Sequence, residues 1–177
     1  MFILEEVTNL IDPSVNDPNI SVTKGYNMAL GVLSGRLVRE LQGDLIMALC
    51  SNCIAKGKES DDAETRKQAV KSLVNVVMTL GMENIPIELL QKSLDTIYGA
   101  LKDYQLDRRG DVGSWVREET MVSLTSFVQT LVSKREKHPE LFLAMQGDQA
   151  SFYERYVSAI LQQLVEKIDR VREVAGR

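Results

Sequence analysis

Cysteine, histidine and tryptophan are nearly absent from this chain of 177 residues, which contains two, one and one of them. Prolines number four and no Pro/Ser-rich linker appears, so residues 1–177 read as a single domain. Long hydrophobic runs are missing as well. No window approaches the roughly 18 to 20 uninterrupted apolar residues that span a bilayer, and membrane insertion is not expected. Met1-Phe2-Ile3-Leu4-Glu5-Glu6 places acids where a secretory signal needs a basic start, so the expected compartment is the cytoplasm. Excess positive charge is also lacking. A net charge of −4 and a pI near 5.2 argue against a protein that wraps nucleic acid, which needs a basic face to neutralise phosphates.

The scarce residues also limit the chemistry. Cys50 and Cys53 form a lone Cys-x-x-Cys with no second pair, and His138 is far along the chain, which leaves half of a tetrahedral zinc site. A thioredoxin-like reading requires a strand before the first cysteine. Leu45, Ile46, Leu49, Cys50 and Cys53 follow helical spacing instead, so both thiols read as small core hydrophobes. His138 precedes Pro139 in a polar stretch, with no serine or cysteine nearby to complete a nucleophilic set. Gly110 and Gly113 lack the Gly-Lys-Ser/Thr ending of a phosphate loop. No catalytic residue, metal or cofactor is expected, and an enzyme is not the reading.

What is present is helical periodicity in a chain of ordinary globular composition, 44% hydrophobic and 26% charged. Ala69, Val70, Leu73, Val74, Val77 and Leu80 form one stripe of a 3.6-residue helix. Ile87, Leu90, Leu94, Ile97, Tyr98 and Leu101 form another. Val116, Thr120, Leu124, Phe127, Val128 and Leu131 form a third, and Tyr153, Tyr156, Val157, Ile160, Leu164 and Ile168 a fourth. No alternating run marks a strand. Gly81 closes a helix, Pro86 opens the next, Gly110 and Gly113 supply a turn, and Pro139 breaks the chain. Asp12-Pro13 and Asp17-Pro18 frame an opening loop.

The helices repeat. Arg66, Ala69 and Leu73 recur as Arg117, Thr120 and Leu124, then as Arg172 and Ala175, and Tyr26, Ala29 and Leu33 keep the spacing upstream. The steps from 26 to 66 to 117 to 172 are 40, 51 and 55 residues. The first fits a HEAT-type period of about 40 to 47 residues, and the others need longer loops. Asp111 lies six residues before Arg117, with Val116 just ahead of the arginine; Ser60 and Glu166 stand where the acid would be in the other copies. Such an acid favours the N-terminal end of the second helix, and the arginine can pair with an acid of a neighbouring repeat. The expected fold is an all-α, HEAT/armadillo-type solenoid. The chain stops about two turns into a second helix, from which a fragment of a longer solenoid is expected.

The densest cluster of unusual residues runs from Asp107 to Glu119. Arg108, Arg109, Asp111, Trp115 and Arg117 are the candidate partner-binding residues, because arginine and tryptophan dominate protein interfaces. The plainer reading makes the charges turn residues or internal pairs, and has Trp115 lock the turn against the helices. Arg109-Gly110-Asp111 spells an adhesion tripeptide without a suitable context. The acids from Glu59 to Glu64 read as a cap for the helix that follows, and Glu118-Glu119 likewise.

Arg109-Gly110-Asp111-Val112-Gly113-Ser114-Trp115-Val116-Arg117 resembles a signature of the tubulin-folding cofactor D family. Thr23-Lys24-Gly25-Tyr26-Asn27-Met28-Ala29-Leu30-Gly31-Val32-Leu33 is similar to a glycine- and alanine-rich helix of the same family. After Arg117 the family continues with small apolar residues, where this chain has Glu118-Glu119-Thr120. The resemblance covers most of the chain and maps it to part of the C-terminal half of a much longer HEAT-repeat protein. It implies a cytoskeleton-associated chaperone that captures β-tubulin and works with cofactor E and an Arf-like small GTPase to join β- to α-tubulin. With cofactor C it also implies stimulation of GTP hydrolysis by tubulin. The alternative is a generic HEAT/armadillo adaptor in trafficking or signalling, sharing the solenoid but not the cargo.

Overall fold

The computed structural model describes Ile11 and residues 19–33, 35–55, 62–146 and 152–177. The loop framed by Asp12-Pro13 and Asp17-Pro18, the first six residues, Ser60 and the acids Glu59 and Asp61 lie outside the described residues. Among those described, nine α-helices follow in chain order: α1 (Ile20–Leu30), α2 (Gly35–Glu40), α3 (Gln42–Asn52), α4 (Ala63–Leu80), α5 (Ile87–Ala100), α6 (Gly113–Ser133), α7 (Pro139–Gln146), α8 (Phe152–Leu164) and α9 (Asp169–Ala175). A short 3-10 turn, Met82–Asn84, joins α4 to α5.

Local chemistry sets the ends. Asn19 caps α1, its Oδ1 accepting from the backbone N–H groups of Ser21 at 3.0 Å and Val22 at 3.4 Å. Asp62 caps α4 by accepting from Thr65 N–H at 3.0 Å, so the described end of the acidic run does what its position implied. Gly81 ends α4 at φ +79°, a value that side-chain-bearing residues rarely adopt. Pro86 immediately precedes α5. Pro139 begins α7 rather than simply breaking the chain, because a first-turn residue needs no backbone donor.

The helices stack in two layers. The second helices of successive pairs, α1, α4, α6 and α9, pack side by side, with α4 against α6 forming the most extensive contact. The first helices, α3, α5 and α8, form the other layer. Here α3 packs on α5, and α8 is tied to α5 by Arg155, which donates to Asp95 at 2.8 Å and lies 4.8 Å from the centre of the Tyr98 ring. This is the expected all-α repeat solenoid. Helix α4 touches α1, α2, α3, α5 and α6, so it is buried around most of its circumference and carries core residues beyond one stripe: Val70, Leu73, Val76, Val77 and Leu80 are all buried. A side chain of this kind contributes about 1.5 to 3 kcal/mol when fully buried. The repeat positions Ala69, Leu73, Thr120 and Leu124 are each 0% exposed.

The small residues of α1 have a packing role. A Cβ on Gly31 would lie 2.4 Å from Ser72 Oγ and 2.9 Å from Ser72 Cα, so glycine is what lets the end of α1 rest on α4. Asn52 Nδ2 donates to Asn27 Oδ1 at 2.9 Å between the layers, with both residues buried.

The fourth apolar stripe ends earlier than its pattern indicated. Helix α8 stops at Leu164, and Ile168 directly precedes α9. The carbonyls of Glu166 and Lys167 accept from Arg172 Nη1 at 2.6 and 3.0 Å, so a side chain captures them instead of a continuing helix. Among the described residues, no helix is long and apolar enough to cross a membrane.

Cys50 and Cys53 are both free and 2% exposed. Burial pushes both thiols up from their ordinary value, Cys53 well above it, which keeps them as unreactive thiols. Thiol titration of the native chain should find neither cysteine accessible on the time scale of minutes, and both after denaturation; rapid native labelling of either would contradict this packing.

Candidate functional site

The loop between α5 and α6 is where the repeats are stitched together. Leaving α5, the chain passes Asp103, Tyr104 and Gln105 and enters a two-stranded hairpin, β1 (Leu106–Asp107) and β2 (Gly110–Asp111), with Leu106 opposite Asp111 and Asp107 opposite Gly110. The sequence contained no alternating run to announce it, because each strand is only two residues long. Turn chemistry builds it instead. Asp107 Oδ1 accepts from Arg109 N–H at 2.6 Å, and Gly110 takes φ +102°, the place of a glycine bulge after a tight turn.

Gly113 is not part of that turn but the first residue of α6. Its N–H donates to Gln105 O at 3.0 Å, and a Cβ there would sit 2.3 Å from Asp103 O. The two ends of the hairpin loop therefore close only over a residue without a side chain.

Two arginines occupy the seams between repeats. Arg66, 1% exposed, reaches from α4 into the next loop, donating from Nε to Asp103 Oδ2 at 2.7 Å and from Nη2 to Gln105 Oε1. Arg117, 0% exposed, donates from Nη1 to Asp103 O at 2.5 Å and from Nη2 to Asp111 Oδ2 at 3.0 Å. Its Nη2 also lies 3.9 Å from Glu166 Oε2 in the following loop. The Arg117 guanidinium sits 4.2 Å from the centre of the Tyr104 ring, and Tyr104 Oη donates to Glu166. Each seam therefore joins an arginine of one second helix to an acid of the next loop: Arg66 to Asp103, Arg117 to Glu166.

This places the acids differently from the sequence register. Asp111 belongs to its own repeat: Oδ1 accepts from Ser114 N–H at 3.0 Å, which caps α6, while both carboxylate oxygens hold Arg117. The inter-repeat acid is Asp103. Arg117 reaches the Asp103 carbonyl fourteen residues back, whereas Arg172 reaches the Glu166 carbonyl only six back. The extra eight residues accommodate the hairpin. An insertion of that size hides the true acid from any search at constant spacing.

The five candidate partner-binding residues separate accordingly. Arg117 takes the plainer of its two readings, an internal pair: it is 0% exposed, both Nη atoms are bonded in the seam, and its buried Nε has no partner among the described residues. Asp111 is committed to the helix cap and to Arg117. Arg108 is exposed at the hairpin tip. Arg109 is held by Asp107 at 2.7 Å and lies 4.9 Å from the centre of the Trp115 ring. Trp115 is half-buried, packed against the core on one side and lining a groove of about 500 Å³ on the other.

That groove crosses the second helices. Lys24 contributes from α1, Glu64, Lys67 and Gln68 from α4, Trp115 and Glu118 from α6, and Arg170 from α9. Lys24 is bonded to Glu64, and Arg170 Nε is 2.7 Å from Glu118 Oε2. Of these residues only Trp115 was a binding candidate from the sequence, although a signal for the others existed. Lys24, Glu64, Trp115 and Arg170 each stand two residues before the repeat positions Tyr26, Arg66, Arg117 and Arg172. Among the described residues, no group of three or more His, Cys, Asp or Glu side chains is placed to hold a metal ion.

Two layers of helix pairs sewn together by buried arginines define an all-α repeat solenoid, a class that presents extended surfaces to other proteins. Comparison with known proteins then narrows the class. A family model described as the C-terminal part of tubulin folding cofactor D matches residues 154–177. Tubulin-specific chaperone D of Dictyostelium discoideum is 25% identical over 186 residues, an alignment that covers 90% of this chain and 13% of that protein. Both similarities are to the same protein family, tubulin cofactor D. The chain thus spans 13% of the length of this curated relative. No solved structure matches.

Removing one partner of a buried ion pair leaves the other charge uncompensated, at a cost of about 3 to 5 kcal/mol. Arg117→Ala should lose stability of that order in urea unfolding, while Arg108→Ala at the hairpin tip should leave the unfolding midpoint essentially unchanged. Equal midpoints for the two variants would refute the seam. Gly113→Ala must displace the Asp103 carbonyl and should cost at least about 1 kcal/mol, read in the same experiment; a neutral result would show that the loop closes without the close approach.

Proposed function

We propose that this chain is a single HEAT-repeat segment of a tubulin-folding chaperone and that it acts by non-covalent binding rather than catalysis. The observation that carries this reading is the similarity to tubulin-specific chaperone D along 90% of the chain. The resemblance of Arg109–Arg117 to the cofactor D signature supports it, since those residues build the hairpin turn and the seam beside it. In this reading the cargo is β-tubulin, and the solenoid holds it while α-tubulin is recruited. Cofactors E and C and an Arf-like small GTPase are the further partners, and stimulation of tubulin GTP hydrolysis is a property of the whole assembly. The protein would work in the cytoplasm, in association with the cytoskeleton.

The mechanism is geometric. Stacked helix pairs form a continuous surface whose curvature is set by the seams, and such a surface holds a folded subunit over a large area without enclosing it. The surface residues of the candidate set, Arg108, Arg109 and Trp115, combine cationic, planar and aromatic groups of the kind that anchor protein interfaces. Affinity capture with the whole cofactor that contains this segment should retain β-tubulin. Absence of β-tubulin under conditions where the cofactor stays folded would overturn the proposal, while retention of the cofactor's other partners alone would favour a generic adaptor.

A further inference from the structure

The acids of the groove across the second helices are already occupied within the fold. Glu64 is bonded by Lys24 and Glu118 by Arg170. Glu119, one residue beyond Glu118, is half-buried, and burial raises its carboxyl above the ordinary range while Lys71 and Lys67 oppose the shift. The donors are not matched in the same way. Among the described residues, Lys67 makes no hydrogen bond or close ion pair and meets Glu64 and Glu119 only as longer-range charges. Among the described residues the Trp115 indole N–H has no acceptor either; the ring contact of Trp115 is with Arg109. Lys71, exposed one turn further along α4, adds another cation beside the groove.

Lys67 and Trp115 both line the recess, with the ion-paired cations Lys24 and Arg170 toward its ends. Neighbouring helix axes lie about 8 to 10 Å apart, so the path from α1 to α9 is roughly 25 to 30 Å, the reach of about eight or nine extended residues. A volume of about 500 Å³ admits a chain segment rather than a folded domain.

We propose that this groove binds an acidic peptide segment in extended conformation, its carboxylates received by Lys67 and the Trp115 indole N–H and steered by Lys24, Lys71 and Arg170. The inference goes beyond the tubulin reading and holds whatever folded partner the solenoid carries. Recognition of this kind is mainly electrostatic at the rim and directional at the floor, so it weakens with salt.

Trp115 is the chain's only tryptophan, so its emission reports directly on the groove. Titrating the 177-residue chain with hexaglutamate at low ionic strength should shift that emission saturably, with calorimetry as an independent readout of binding. Lys67→Glu should weaken the apparent affinity about tenfold with an unchanged circular dichroism spectrum, since Lys67 holds no bond among the described residues. High salt should weaken the wild type in the same direction, and hexalysine should not bind. The proposal fails if neither readout detects hexaglutamate, if Lys67→Glu binds as tightly as the wild type, or if hexalysine binds as well.

Discussion

The helix pairs of this protein meet around two guanidinium groups that solvent barely reaches. Apolar stripes hold the layers together, but dispersion and burial are nearly indifferent to a small slide of one helix along another. A buried guanidinium is not indifferent. Arg66 must find Asp103 and Gln105, and Arg117 must find Asp103, Asp111 and Glu166, or a charge is stranded in the interior at a cost of several kcal/mol. These contacts supply direction where the hydrophobic core supplies adhesion, and the rise from one repeat to the next depends on them.

Asp103 carries an unusual share of this arrangement. Its carboxylate receives Arg66 from the preceding repeat and its carbonyl receives Arg117 from its own, so two successive second helices are referenced to one residue. Gly113 is tied to the same point by its close approach to the Asp103 carbonyl. The hairpin can then extend from the loop without disturbing the stack, because the chain is fixed at both of its ends. At its tip Arg109 folds back over Trp115, which carries loop chemistry onto the face formed by the second helices.

That face explains how a stack of helix pairs can be specific. Its surface ion pairs run between repeats, Lys24 to Glu64 and Arg170 to Glu118, so the charge pattern seen by a partner is set by the stacking as much as by composition. Any change in superhelical rise would alter the spacing of these pairs together. A scaffold of this type recognises through position, and the seams are what hold position constant.

Much of this was legible in the residues themselves. The 3.6-residue spacing of apolar side chains showed the helices, because burial on one face imposes that period whatever the neighbours are. Asp62, Gly81 and Pro86 marked helix ends, because capping and backbone geometry are local. The recurrence of arginine at 66, 117 and 172 showed a repeat. What the sequence left open was every pairing made at a distance. Asp103 was concealed by the eight extra residues before Arg117, and the choice between an internal pair and a surface contact for Arg117 stayed open because a guanidinium suits both. The groove joins Lys24, Lys67, Trp115 and Arg170 across four helices. Local propensity and periodicity determined which segments are helical; only the stacking of those helices decided which charges are buried, which are paired and which remain available, because burial and pairing are properties of neighbours that the chain brings together from far along its length.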